Sequence, residues 1–337
     1  MIALSNSLAR AYGSLGIALN NSLPQSHGQV CLANDTLIAQ SSYIEELTTY
    51  GIGYGSMAAN KLRTLRDFIA PPRLSNSRVV RLTQYDENEP WAAVDYNKVK
   101  RSQLADFAEV RQRSASKVDR TIFNRGLTVR LDRDQIKDKP MWQQIHTQWL
   151  IDLLMRATLL ESLDMLSASA IADSATWDAG SDPDIDIKSR LLSQADITGF
   201  YPRRALYGDQ ATLKRQKSYR GQLNAGSLAS AQLTSDDQIA TVLGLDSVIT
   251  SAERYQSSSA AKTEIVGSNV LVFTAIDSDS PEDCSNLVRC VASATYGGGE
   301  YAVYLTSEGV KTVFLTVENY ELLSMQHTTG LMKIAIN

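Results

Sequence analysis

Few residues that could do chemistry stand at spacings that would let them act together. The chain has three histidines, His27, His146 and His327, and three cysteines, Cys31, Cys284 and Cys290. Structural zinc takes four ligands, usually in closely spaced pairs. Cys284 and Cys290 have five residues between them and no second pair, so no metal is expected there. Asp182, Asp184 and Asp186 alternate as in a calcium loop, but Ile187 stands where glycine must turn and Ser193 where the bidentate glutamate belongs. With Asp178 they read instead as capping carboxylates for a helix over residues 187–195. Gly51-Ile-Gly53-Tyr-Gly55 is spaced like a phosphate loop, yet Glu45-Glu46-Leu47-Thr48-Thr49 before it is no buried strand, and a flexible turn is the reading. No Gly-Lys-Ser/Thr, Gly-x-Ser-x-Gly, His-Glu-x-x-His or dinucleotide fingerprint occurs. The expectation is no catalytic, cofactor-binding or metal residue and no enzyme. A soluble hydrolase with a composite site, built from residues far apart in sequence, is the one enzyme class left open.

Charge is distributed unevenly along the chain. The 337 residues carry a formal charge of -4, which excludes a generic nucleic-acid binder. Residues 61–137 hold seventeen basic and ten acidic side chains, whereas 138–337 hold fifteen and twenty-four. A basic segment beside an acidic body can supply complementary surfaces on neighbouring copies. The odd cysteine count, with no disulfide framework, suits a reducing compartment, and the N-terminus shows no secretion signal.

The element that must organise this chain is a helix over residues 140–172. Pro140 suits a first turn. Ile145, Trp149, Leu153, Ala157, Leu160 and Leu163 recur at spacings of three and four, and Leu150, Ile151, Leu154, Leu159 and Leu166 widen the stripe. So wide an apolar surface implies packing on several sides, with Leu153 and Leu160 buried. Its length is about 50 Å. Asp152, Arg156, Glu161 and Asp164 speak against a membrane span.

Before this helix, residues 1–35 read as an arm, 36–50 as a short amphipathic helix and 61–70 as another, ended by Pro71-Pro72. Residues 78–85, 117–123 and 127–131 read as strands, with Asn124-Arg-Gly126 as a turn. The long polar stretch 86–116, containing Trp91 and little else that is apolar, suits a two-stranded ribbon projecting from the body. Beyond the helix, residues 201–208 suggest a strand and turn. A basic helix follows over 210–219, where Lys214, Arg215, Lys217 and Arg220 join Arg203 and Arg204. That face is either solvated or in contact with an acidic neighbour or packaged nucleic acid. Residues 222–233 read as a mobile loop, 236–243 as a helix capped by Gly244, and 247–251 and 265–274 as strands, with Gly267 at a bulge or edge. Gly297-Gly-Gly299 is a turn before a strand over 301–305. Residues 311–317, 320–326 and 331–336 suggest a closing meander.

This order of polar arm, ribbon, long apolar helix, α/β module and closing strands resembles the major capsid proteins of tailed bacteriophages. So do Asn124-Arg-Gly-Leu-Thr-Val-Arg-Leu-Asp-Arg-Asp134, Thr176-Trp-Asp178 and Asp196-Ile-Thr-Gly-Phe-Tyr-Pro-Arg-Arg-Ala-Leu-Tyr-Gly208. Ser251-Ala-Glu-Arg-Tyr-Gln256, Ile265-Val-Gly-Ser-Asn269 and Gly297-Gly-Gly-Glu-Tyr301 are similar too. The match runs from about residue 60 to the end. The resemblance implies an α+β Hong-Kong-type shell fold. An N-terminal arm would span 1–60, an extended loop 78–120, and an axial domain 196–305. The peripheral domain would take 61–77, 121–195 and 306–337, with 140–172 as its spine helix. It implies a structural protein that self-assembles through pentamers and hexamers into an icosahedral shell around double-stranded DNA. The partners implied are scaffolding, portal and decoration proteins and the packaged DNA, with no membrane and no cofactor. The place implied is the virion capsid, with assembly in the host cytoplasm. Arg78, Arg81, Trp91, Lys98, Lys100, Arg101, Arg111 and Arg113 are the inter-subunit candidates on the loop. Arg203, Arg204, Lys214, Arg215, Lys217 and Arg220 are candidates for the inner face or a neighbour. Some relatives cross-link lysine to asparagine, but Lys98 and Lys100 have no matching asparagine or glutamate here, so no cross-link is expected. A shell of the same fold enclosing a cellular enzyme, as in encapsulins, is the alternative.

Overall fold

The computed structural model describes residues 40–57, 60–85, 100, 115–199, 201–222, 226, 230, 235–256, 261–276, 284–293 and 299–337. In chain order the first elements are β1 (Gln40–Tyr43), α1 (Glu45–Gly55), α2 (Lys61–Ile69), β2 (Pro72–Ser75), β3 (Val79–Tyr85), β4 (Ala115–Thr121) and β5 (Phe123–Asp132). A single turn, α3 (Arg133–Ile136), leads to the long helix α4 (Trp142–Ser169). Then come β6 (Ile171–Ala175), α5 (Pro183–Thr198), β7 (Arg204–Gly208), α6 (Asp209–Gly221), α7 (Asp236–Leu243) and β8 (Ser247–Ser251). The chain closes with β9 (Arg254–Gln256), β10 (Lys262–Glu264), β11 (Asn269–Phe273), β12 (Leu287–Ala292), β13 (Tyr301–Glu308), β14 (Thr312–Met325) and β15 (Met332–Ile336).

Two sheets carry the fold. The first runs β1-β13-β14-β12-β2, and β5 pairs with β14 from its other side. The second runs β6-β15-β11-β7-β8. α4 lies on the first sheet over β5 and β14, with α1 and α2 beside it. Leu150, Ile151, Leu154, Met155, Leu159, Leu163 and Leu166 point into this core, which also takes in Leu315, Val317 and Tyr301. A second core lies against the other sheet, where Ile187, Leu191, Ile239 and Leu243 from α5 and α7 meet Ala205, Val270 and Ile334.

The long helix differs from its sequence reading in its ends and in its buried face. Met141 takes a left-handed backbone (φ 63) and Pro140 sits in the turn before it, so the helix begins at Trp142. At the other end Ala170 is extended, and Ile171 and Ala172 belong to β6, where pairing with β15 satisfies their backbone. Leu153 and Leu160 are half-buried, and Ile145 and Trp149 are exposed. Apolar residues surround most of this helix, so periodicity alone could not say which arc meets the sheet.

Other expectations are corrected by close packing and by sheet pairing. The helix expected over 36–50 is displaced: β1 comes first and α1 follows. Gly51, Gly53 and Gly55 form no turn but lie within α1, where a Cβ on Gly55 would stand 2.6 Å from the Tyr301 ring. Asn124-Arg-Gly126 lies inside β5, opposite Tyr320 to Glu318 of β14; the chain turns instead at buried Ile122. Gly267, at φ 66, makes the turn before β11 and is not a bulge. Residues 311–317 and 320–326 form one continuous strand, β14, and β15 leaves that meander for the second sheet. The expected division at residue 305 therefore does not follow the sheets: β12 and β13 belong with β14, and β15 with β7 and β11. The loop 222–233 and the Gly297-Gly298 turn fall largely outside the described residues.

The helix after the acidic run is longer than expected and is capped as expected. The Asp182 side chain accepts from the Ile185 N–H, and Pro183 opens α5. At the end of β7, Gly208 passes so close to the turn before β11 that a Cβ would lie 1.8 Å from the Gly267 carbonyl oxygen. Gly208→Ala is expected to force the two backbones apart and cost about 1–3 kcal/mol. A thermal melt unchanged from the parent would contradict this.

Candidate assembly surfaces

The ribbon is formed by β3 and β4, in register from Val79 opposite Thr121 to Tyr85 opposite Ala115. Its root is anchored: Leu82 and Ile122 are buried in a third small core with Val288, Cys290 and Tyr320. Along its exposed side Arg81 donates from Nε to Asp119 Oδ1 at 2.7 Å and from Nη2 to Oδ2 at 3.1 Å. These hydrogen bonds hold the Asp119 carboxyl below its ordinary range. Arg78 stacks its guanidinium over Tyr320, 4.4 Å from the ring centroid. Both are thus engaged within their own subunit, and Lys100 is exposed. Trp91, Lys98, Arg101, Arg111 and Arg113 lie outside the described residues.

The basic set around α6 does not form one surface. Arg215 is fully buried and pairs twice with Asp184, Nε to Oδ1 at 2.7 Å and Nη2 to Oδ2 at 2.8 Å, so it cannot meet a neighbour or nucleic acid. A helix otherwise polar put it there because α6 packs Arg215 and Tyr219 against the N-terminus of α5. Arg204 donates to the Phe68 carbonyl at 2.6 Å, and Lys214 to the Ile336 carbonyl at 2.6 Å. Arg203 is half-exposed near Asp246, and Lys217 and Arg220 remain on the surface.

Sequence reasoning missed a buried ionic cluster between α2, β12 and the start of β13. Arg289 is fully buried; it donates from Nη2 to Asp67 Oδ1 at 2.7 Å, from Nη1 to Glu300 Oε1 at 3.0 Å and from Nε to the Ala70 carbonyl at 3.3 Å. Arg66, equally enclosed, donates from Nη1 to Glu300 Oε1 at 2.9 Å and to the Tyr301 hydroxyl at 3.0 Å. Burial pushes the Glu300 carboxyl up, but the two guanidinium groups outweigh it and hold it below its ordinary range. Burial raises the Tyr301 phenol well above its ordinary value, so it stays neutral. One signal was legible: an arginine inside Leu287-Val-Arg-Cys-Val-Ala292, an otherwise apolar strand. The cluster ties sequence-distant segments together.

His146 sits between Trp142 and Trp149 in edge-to-face contacts of 6.4 and 6.3 Å. Burial and nearby Lys139 push its pKa down. Cys284 and Cys290 are buried. Among the described residues no group of three or more His, Cys, Asp or Glu side chains could hold a metal ion, and no helix is long and apolar enough to cross a membrane.

A phage-related protein of Bordetella bronchiseptica superposes with a TM-score of 0.57 at 13% identity, covering 87% of this chain and 97% of that one. A protein assigned as a prophage capsid protein from Escherichia coli CFT073 gives 0.51 at 10% identity, covering 89% of this chain and 100% of that one. The fold is that of the tailed-phage major capsid proteins. No family model and no curated protein matches this chain. The likeness is therefore one of backbone arrangement, at 13% and 10% sequence identity. Contact surfaces are free to diverge while such an arrangement persists, because burial constrains the cores and not the exteriors.

Proposed function

We propose that this chain is a major capsid subunit, which self-assembles through rings of five and six copies into an icosahedral shell around double-stranded DNA. The observation that carries this reading is the capsid fold, shared over nearly the whole of this chain. In this reading α4 is the spine helix, and with the first sheet it forms the peripheral domain. The second sheet with α5, α6 and α7 forms the axial domain. The ribbon and the residues beyond it form the extended loop. Scaffolding, portal and decoration proteins are the expected partners, and Arg203, Lys217 and Arg220 are the remaining basic candidates for non-specific contact with DNA. The virion is the expected location, reached by assembly in the host cytoplasm. The role is structural, not enzymatic. The test is the native mass of the purified protein with nuclease protection of its contents. Megadalton particles protecting DNA support it; a small oligomer, or a shell holding only protein cargo, contradicts it.

The ribbon is the proposed clamp between subunits. Lys98, Lys100, Arg101, Arg111 and Arg113 would meet carboxylates of the acidic body of a neighbour, with Trp91 at the contact, whereas Arg78 and Arg81 are already engaged within their own chain. Exposed pairs of this kind contribute at most about 1 kcal/mol each, but recur at every junction and weaken with salt. Replacing residues 89–110 by a short Gly-Ser turn is expected to leave folded subunits or rings that do not close. Closed shells of normal yield in electron micrographs would remove the ribbon from this role.

A further inference from the structure

A cleft runs between the first turn of α2, the middle of α4 and the turn that joins β8 to β9. It consists of two adjoining hollows of about 410 and 260 Å³ that share Lys61 and Glu253. Arg156 enters it from α4 with its side chain one-third exposed, yet among the described residues the guanidinium makes no hydrogen bond. Its Nε is enclosed without a partner, and Nη2 stands 3.8 Å from Glu253 Oε2, too far for one. Side chains alternate along β8, so Ser251 shares the side of Ile249, which packs on the core that holds Leu62 and Leu65 of α2. Ser251 is 5% exposed, lines the cleft and has no partner for Oγ. Lys61, exposed at the rim, forms no ion pair among the described residues. Asp152 differs from these: the Tyr54 hydroxyl lies 3.0 Å from both its oxygens and donates to them, and Asn60 Nδ2 donates to Oδ1 at 3.4 Å. Burial and that carboxylate push the Tyr54 phenol up to about 12, so the donor keeps its proton. The groups left over are two cations and a hydroxyl against the single carboxylate of Glu253.

We propose that this cleft binds a small oxyanion of the phosphate class, as the free ion or as a phosphomonoester, between Arg156, Lys61 and Ser251. A guanidinium presents paired donors that match two oxygens of such a group, and an enclosed donor without an acceptor is costly. An anion there supplies acceptors to all three groups and balances the surplus positive charge. The first turn of α2 adds the positive end of a nine-residue helix. Tyr54, Met57 and Leu62 line the wider hollow and suit the apolar part of an ester. Glu253 opposes the anion, so ligand and carboxylate compete for Arg156. The site lies within one subunit and does not depend on the shell reading.

The test uses the full chain at low ionic strength. Inorganic phosphate and phenyl phosphate are titrated by calorimetry, with chloride at matched ionic strength as the control. Saturable binding is expected, weakened roughly tenfold or more by Arg156→Gln and also by Arg156→Lys, which keeps the charge but loses the fork. Lys61→Gln, at an exposed position, is expected to weaken binding and leave the thermal melt of the free protein unchanged. Glu253→Gln is expected to tighten binding, which a general loss of stability would not do. These two variants decide the matter even if Arg156→Gln does not fold. Tighter binding of phenyl phosphate supports the site with an ester as its ligand, and equal affinities support it with the free ion. Absence of binding by the parent, binding that chloride matches, or binding unchanged in Lys61→Gln and Arg156→Lys overturns the site. Weaker binding to Glu253→Gln also overturns it, because the carboxylate then holds the ligand instead of competing with it. Displacement of bound phosphate by a short DNA duplex would make a nucleic-acid backbone the occupant and overturn the assignment to a small ligand.

Discussion

Ile151→Asp is expected to yield no folded subunit. Ile151 is fully buried on the long helix α4, within the core that joins it to the first sheet and to α1 and α2. A carboxyl there would be enclosed among apolar side chains, and burying it without a hydrogen-bond partner costs several kcal/mol even when it is neutral. The total stability of a domain is only about 5–15 kcal/mol. Leu153→Asp, two residues on and half-exposed, is the control: it can reach water and is expected to stay folded. Soluble, cooperatively melting Ile151→Asp protein would show that the helix is not the centre of the fold.

The second large effect is expected at the buried ionic cluster. Arg289→Ala leaves Asp67 and Glu300 without their best-enclosed partner, and loss of one member of a buried pair typically costs about 3–5 kcal/mol. The urea midpoint should fall accordingly; a shift of a few tenths of a kcal/mol would mean that water replaces the guanidinium. Acid acts on the same cluster from the other side. The folded-state pKa of Glu300 is depressed, so its contribution is present above the unfolded value of about 4.3 and is lost as pH falls through the lower folded value. Between pH 5 and pH 3 the parent should therefore lose stability more steeply than Glu300→Gln, which has no such proton to bind. Equal slopes would assign acid sensitivity to other carboxylates.

Particular segments show how much was legible in the sequence. The α7 helix has local signals at both ends: Ser235 and Gln238 form a reciprocal capping box, and Gly244 takes the left-handed cap. Asp182 and Pro183 likewise mark the start of α5. These features depend on a few adjacent residues, so the sequence contains all of their physics. The two strands at the ribbon's base were legible from their β-branched and alternating residues, and they pair as β3 and β4; the polar stretch between them lies outside the described residues. The glycines of α1 were not, because their spacing suits a loop as well as a helix. Only the Tyr301 ring, some 250 residues away in sequence, makes a side chain at Gly55 untenable.

The same division holds for the surfaces. Composition and order along the chain determined the class of fold, the central helix, the ribbon and the absence of a recognisable catalytic motif. Tertiary structure decided which arc of that helix is buried, leaving Ile145 and Trp149 outside and Leu154 and Leu159 inside. It turned Arg215 inward onto Asp184 and brought Arg66, Asp67, Arg289 and Glu300 into one cluster. The physical reason is that periodicity reports what a helix could bury, whereas the sheet laid against it selects what is buried. The partner of a buried charge is likewise set by tertiary packing, whether it lies 31 positions away, as Asp184 does from Arg215, or 222, as Asp67 does from Arg289.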